Sequence, residues 1–207
     1  MEKMERPKTI GVDNGFLTME GKLLLQIRTT QSWMGQVLGK SYEGLWELND
    51  GAVQEKNILK ALTLPVLKAQ AIENAQKKLG ISMTVPENPA MYLTIYENKE
   101  KGILDWAITF PIPPEYWQMP KELLRDVMLV DVEGLNDLAS RPEGKGQLVS
   151  GWGKRQHRMG LGTLFYSPIS HRLRAEALLT QIKPDWRETE YSDNAEEFLA
   201  RLRKAIS

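Results

Sequence analysis

A chain of 207 residues with 42% hydrophobic and 26% charged side chains has enough apolar material for a real core and too little length for two full-sized domains. Lys+Arg and Asp+Glu both number 27, so no overall field favours nucleic acid or an anionic membrane, and any polyanion site has to be local. Cysteine is absent, which excludes disulfides, thiolate metal sites and cysteine nucleophiles and fits a reducing, cytoplasmic setting; the start "MEKMERPKTIGVDNG" has no apolar core of signal-peptide length, and no later run approaches the roughly 18 apolar residues of a membrane span.

In chain order, "TIGVDNGFLTME" (9–20) is broken by "DNG" and pairs as a hairpin with "GKLLLQIRT" (21–29), an apolar run of the kind a buried strand shows. Residues 30–43 form a looser, polar connection. "GLWELNDGAV" (44–53) places Trp46 and Leu48 on one side of an extended segment and stops at "NDG", a turn signal. From Pro65 to Leu79 the period becomes helical, with Leu67, Ile72, Ala75 and Leu79 on a shared face, Thr63 as N-cap and Gly80 just past the C-terminus. "AMYLTIYEN" (90–98) and "GILDWAITFPIP" (102–113) read as two strands joined by the charged turn "KEK". A strand around 127–132 and a short helix near 134–140 follow.

The last third is glycine-punctuated and basic over 147–167, helical over 170–182, and closes with an amphipathic helix over 193–207 whose stripe is Phe198, Leu199, Leu202 and Ile206. No internal repeat or low-complexity tract is present. Hairpins mixed with helices, without a regular βαβ alternation, predict an α+β class.

The order of these pieces resembles the Nudix (MutT-like) pyrophosphohydrolases: a strand "GKLLLQIRT", a strand and turn "WELNDG" similar to the family's "WELPGG", a loop and helix ending in Gly and an apolar residue, two strands, and "MLVDVEGLNDL". The resemblance covers about residues 9–140 and lies in the order of the motifs. It implies a mixed β-sheet sandwiched between α-helices in one domain spanning 1–207, with the extended C-terminal third, about 141–207, as an elaboration. It also implies a Mg²⁺-dependent hydrolase or a binder of a nucleoside diphosphate-type ligand.

The family's box reads G, five residues, E, seven residues, then R-E-U-x-E-E-x-G-U, with U a bulky apolar residue. Aligning Gly80 and Ile81 with its end and Gly51 with its start puts Glu73 on the arginine, Asn74 on the first glutamate, and Lys77 and Lys78 on the glutamate pair. More residues separate Gly51 from Glu73 than the family spacing permits, so the 52–64 loop carries an insertion, and Glu55 is only near the middle glutamate. Positions 74, 77 and 78 lie at i, i+3 and i+4 on one helical face, where carboxylates would converge on Mg²⁺. At about 5 Å and an effective dielectric of ~20, an ammonium there repels Mg²⁺ by roughly 6–7 kcal/mol. The helix-borne metal site is therefore expected to be absent.

Lys77 and Lys78 have two readings, a solvated face on which Glu73 and Lys77 pair, or direct binding of a phosphate without metal. The resemblance implies that Arg28, Trp46 and Glu47 stand where relatives contact a nucleotide; from the residues themselves Trp46 reads as core before it reads as a stacking platform, and Arg28 reads also as one half of an ion pair with a neighbouring acid. Catalysis by relocated acids would draw on Glu47, Glu55, Glu73 and Glu133, with Asp137 and Glu143 as further acids of the later loop, and only in that case would Mg²⁺ be a cofactor. A third reading makes the chain a ligand sensor or an interaction module, monomeric or homodimeric. Its nucleic-acid or protein contact would be the basic segment with Lys154, Arg155, His157 and Arg158, followed by Arg172 and Arg174. His157 and His171 lack the spacing of a zinc site, and no phosphate-loop or nucleophile-elbow motif occurs.

Overall fold

The computed structural model describes residues 4–20, 22–27, 46–98, 102–119, 127–131, 134 and 186–207. β1 (Thr9–Phe16) alternates Ile10, Val12, Asn14 and Phe16 on one face with Gly11, Asp13 and Gly15 on the other, the period-2 pattern of a strand. β2 (Leu23–Ile27), β3 (Trp46–Glu47) and β4 (Asn49–Ala52) follow, then the short helix α1 (Ile58–Ala61) and the long helix α2 (Leu64–Leu79). After them come β5 (Ser82–Met83), the hairpin β6 (Met91–Asn98) and β7 (Ile103–Ile112), a 3₁₀ turn (Pro114–Tyr116), β8 (Trp117–Gln118), β9 (Val127–Val130), β10 (Trp186–Ser192) and the terminal helix α3 (Ala195–Ile206).

The main sheet has five strands in the order β10-β6-β7-β1-β4. β1 runs parallel to β7 and antiparallel to β4, and β6 is antiparallel to both β7 and β10, so the sheet is mixed. A second, antiparallel sheet has the order β3-β2-β9, and β5 pairs with β8. The class is α+β, as the order of elements predicts. Among the described residues no helix is long and apolar enough to cross a membrane.

Two apolar clusters fill the space around the main sheet. The larger joins Ile10, Val12, Phe16, Trp106, Ile108 and Phe110 of the sheet to Leu64, Leu67, Ala71, Ala75 and Leu79 of α2 and to Phe198, Leu199, Leu202 and Ile206 of α3. The smaller joins Tyr92 on the far face to Leu23, Leu25, Leu48 and Val130 of the second sheet region. Within β2 the alternation divides the two, since Leu24 belongs to the larger cluster and its neighbours to the smaller. Burying such a leucine contributes about 1.5–3 kcal/mol.

Helix ends follow the sequence signals closely. Gly80 adopts φ 61°, the left-handed conformation that glycine enters without penalty, so its N–H reaches Gln76 O at 3.0 Å and the Ile81 N–H reaches Ala75 O at 3.2 Å. Asn57 caps α1 and Asn194 caps α3 through their side-chain oxygens. α3 also places Glu196 and Glu197 in its first turn and Arg203 and Lys204 in its last, matching the helix dipole, and its final carbonyls accept from Arg6 Nε and the Met4 N–H.

Several expectations are corrected. "DNG" at 13–15 is no turn: β1 runs through it because the segment pairs on both sides, and the chain turns instead between Leu17 and Leu23, which form one isolated bridge before β1 and β2 part into different sheets. "NDG" at 49–51 is likewise strand, β4, held by the pairing of Asn49 with Asn14 and Gly51 with Val12. Ile72 lies about 140° round the helix from Leu67 and is 40% exposed, outside the core stripe. Thr63 occupies the N-cap position, but its hydroxyl donates to Lys60 O and makes no capping bond. The 30–43 connection, the helices expected near 134–140 and 170–182, and the basic 147–167 segment lie outside the described residues, apart from Gly134.

Candidate functional site

The sequence-aligned box runs from Gly51 in β4 to Gly80 beyond α2, and the fold brings β4 against the helix at Asn74 and Lys78. α2 lies along the face of β1 and β4 that carries Asn14, Asn49 and Gly51, so the helix residues at 71 and 74 meet those strand positions. The meeting is made by amides. Asn14 Nδ2 donates to Asn49 Oδ1 at 2.7 Å and to Ala71 O at 2.8 Å. Asn49 Nδ2 donates to Gln26 Oε1 at 3.0 Å and to Asn74 O at 3.1 Å. Gln70 Nε2 donates to Asn74 Oδ1 at 2.9 Å, and Asn74 Nδ2 donates to Val12 O at 3.0 Å. All five side chains are buried. Three strands and one helix are thus cross-linked by neutral donors and acceptors, which avoids the desolvation cost of burying charge.

Gly51 belongs to this arrangement by having no side chain. A Cβ built on it would stand 2.2 Å from Asn74 Oδ1 and 2.8 Å from Asn74 Nδ2, so the carboxamide occupies the space above the glycine.

The two box lysines each have an acid. Lys77 pairs with Glu73 one turn back, with side chains 73% and 40% exposed, a solvated i,i+4 pair. Lys78 pairs with Asp50 of β4, and here both partners are less exposed.

These residues do not fit a divalent ion. Position 74 carries a neutral amide, with its oxygen and its nitrogen both engaged; positions 77 and 78 carry ammonium groups, which have no lone pair to offer a metal. Among the described residues no group of three or more Asp, Glu or His side chains gathers at a spacing suited to a metal.

The remaining candidates are dispersed. Glu55 is exposed and accepts from the Asn57 N–H, which shapes the turn before α1. Glu47 and Trp46 form β3, opposite Gln26 and Ile27 of β2. Arg28, Glu133, Asp137, Glu143, His157, His171 and the basic residues Lys154, Arg155, Arg158, Arg172 and Arg174 lie outside the described residues. Sequence reasoning passed over Asn14, Gln26, Asn49 and Gln70. A signal was present: a lone amide inside an apolar strand, as in "LLLQI", has to find a buried partner.

No family model matches the chain, and no curated protein matches it. Its structure is similar to those of several Nudix (MutT-like) proteins. One is a MutT protein from Methanosarcina mazei Go1, 17% identical, with 75% of this chain and 96% of that chain covered at a TM-score of 0.44. A MutT Nudix hydrolase from Burkholderia pseudomallei is 12% identical, with 68% and 90% covered at a TM-score of 0.43. The Nudix domain of Shewanella oneidensis NrtR, solved in complex with ADP ribose, is 16% identical, with 67% and 80% covered at a TM-score of 0.41. These are likenesses at low identity and low TM-score, and the chemistry of the site is that of this chain's own residues.

Proposed function

We propose that this chain is a Nudix-superfamily protein whose box helix has become structural, and that it binds a nucleoside diphosphate-type ligand without hydrolysing it through a helix-borne metal. The observation that carries the reading is the placement of Asn74: the side chain aligned with the first box glutamate is buried, neutral and hydrogen-bonded to Gln70 and Val12. A group so engaged neither binds a metal nor takes a proton from water. The order of β1 to β4, the helix ended by a left-handed Gly80 and the buried apolar Ile81 support the family reading. Lys77 supports the ligand reading, because a solvated pair with Glu73 is worth only about 0.3–0.5 kcal/mol and an incoming phosphate displaces it at small cost.

The test is a comparison of ADP and ADP-ribose in EDTA and in MgCl₂, followed by thermal shift and by release of nucleoside monophosphate. The expected result is ligand-induced stabilisation of equal size in both buffers, with no product. Mg²⁺-dependent monophosphate release that is lost in Glu47→Gln or Glu55→Gln overturns the non-hydrolytic half. Absence of any shift, with no binding by calorimetry, overturns the ligand half.

A further inference from the structure

Of the chain's asparagines only Asn14 is followed by glycine. In an unfolded chain that dipeptide loses ammonia readily, because glycine has no side chain to shield its own nitrogen and leaves the backbone free to turn towards the carboxamide. The fold holds both residues in the opposite condition. They lie buried inside β1, on a strand paired with β7 at Asn14↔Phe110 and Gly15↔Pro111 and with β4 at Asn14↔Asn49. In such a strand the side chain stands off the sheet while the next peptide nitrogen lies in its plane, so that nitrogen and the carboxamide carbon are kept apart. The carboxamide is held a second time from outside the strand, since Asn14 Nδ2 donates to Asn49 Oδ1 and to Ala71 O. Those same partners cannot receive an acid at position 14: the Ala71 carbonyl has no proton to offer, and Asn49 has committed its own Nδ2 to Gln26 Oε1 and Asn74 O.

We propose that Asn14–Gly15 is a modification site concealed by the native fold, at which time spent unfolded is converted into permanent loss of folding competence. In the unfolded chain the Gly15 nitrogen, giving up its proton, attacks Asn14 Cγ. The new C–N bond closes a succinimide ring, the Cγ–Nδ2 bond breaks, and Nδ2 leaves with that proton as ammonia. One water then opens the ring at either carbonyl and leaves aspartate or isoaspartate at position 14, with no change of oxidation state. Aspartate sets a carboxylate against Asn49 Oδ1 and Ala71 O in a buried site. Isoaspartate adds a carbon to the main chain of β1 and so shifts the register of a strand that is paired on two sides. Asn49 and Asn74 belong to the same network but precede Asp50 and Ala75, whose side chains shield the attacking nitrogen. The inference is independent of whether the protein binds a nucleotide.

The experiment holds the full chain, without nucleotide, in native buffer or in guanidinium chloride at the same mildly alkaline pH, and returns samples to native buffer at intervals. Peptide mapping by mass spectrometry reads the acid at position 14, enzymatic carboxyl methylation reads isoaspartate, and the melting transition reads the refolded fraction. In denaturant, position 14 is expected to become acidic before any other asparagine, with the refolded fraction falling over the same time course. In native buffer the change is expected to be roughly 100-fold slower or more, because it proceeds only from the small unfolded fraction. Gly15→Ala, followed in denaturant where folding is not required, is expected to keep its amide over that period. Equal rates in the two buffers overturn the proposal, and so do chains that carry the acid and refold to the wild-type melting temperature. Where brief exposure to denaturant already prevents refolding, Asn14→Asp made directly decides: a lowered melting temperature or loss of the folded state is expected, and a wild-type melting temperature overturns the proposal. Nucleotide plays no part in any readout, so this inference and the proposed function fail separately.

Discussion

Gly51 and Asn74 occupy one space between them: the Asn74 carboxamide lies where a side chain on Gly51 would stand, with Oδ1 2.2 Å from the nearest possible Cβ. The obstruction is a side chain whose two polar atoms are both hydrogen-bonded, so it yields only by breaking those bonds. Gly51→Ala is expected to lower the unfolding free energy by roughly 2–4 kcal/mol, combining overpacking with hydrogen bonds lost from buried groups. Asn74→Ala removes the obstruction and the bonds together. The double variant is expected to be less destabilised than the sum of the singles, as a urea-unfolding cycle would measure.

Asn74→Asp changes one atom and tests whether the site tolerates charge. The new carboxyl is buried and its position is built for an amide: the Asn74 nitrogen donates to Val12 O, and a carboxylate oxygen there would face that carbonyl instead. Burial and this acceptor–acceptor contact disfavour the ionised form, so the folded-state pKa of the new Asp lies above its unfolded value. A group raised in this way favours folding below its unfolded pKa and loses that contribution as pH rises through its folded pKa. The variant is therefore expected to be markedly less stable than wild type at neutral pH and to approach it as pH falls towards the ordinary carboxylate range. A gap between the two melting curves that is independent of pH would contradict this.

The reach of sequence reasoning can be judged at these same positions. Helix α2, its left-handed Gly80 and the buried Ile81 were legible because a 3.6-residue period and a glycine stop are local signals. The hairpin β6–β7 and the stripe of α3 were legible for the same reason. "DNG" and "NDG" misled because Asn, Asp and Gly carry a turn preference that non-local pairing overrides: Asn14 and Asn49 sit opposite each other in a ladder and are hydrogen-bonded side chain to side chain. That positions 74, 77 and 78 carry no acid was visible in the sequence. The amide network around position 74 was not, because it joins residues 14, 26, 49, 70 and 74, which no spacing rule groups.

Tyr191, in β10, packs against Tyr92 with ring centroids 5.0 Å apart, and burial, followed by the nearby charge of Asp193, raises its phenolic pKa above the ordinary value. The folded state thus holds this proton longer than the unfolded state does. The contribution to stability is complete below the unfolded tyrosine value, about 10, and is lost as pH rises through the higher folded value. Tyr191→Phe, which keeps the ring contact, is expected to make the melting temperature less steep above pH ~10 and to leave its pH dependence near neutrality unchanged. Melting curves recorded from neutral to strongly alkaline pH test this, and an unaltered alkaline limb would refute it.

Two kinds of bond involve α2 and the strands beneath it, and they differ in what their removal leaves behind. Lys77 and Glu73 are solvated, so Lys77→Ala leaves the carboxylate to water and is expected to cost no more than about 0.5 kcal/mol. Asn49 is fully buried, accepts from Asn14 and donates to Gln26 and to Asn74 O. Asn49→Ala strips a partner from each of these groups where water has no ready access, and it opens a small cavity as well. The expected loss is roughly 3–5 kcal/mol, made of desolvated groups left unpaired and of lost packing. The ordering matters more than the values. If chemical denaturation ranked Lys77→Ala as the more damaging change, surface charge would be holding the helix, and the buried amides would be incidental to it.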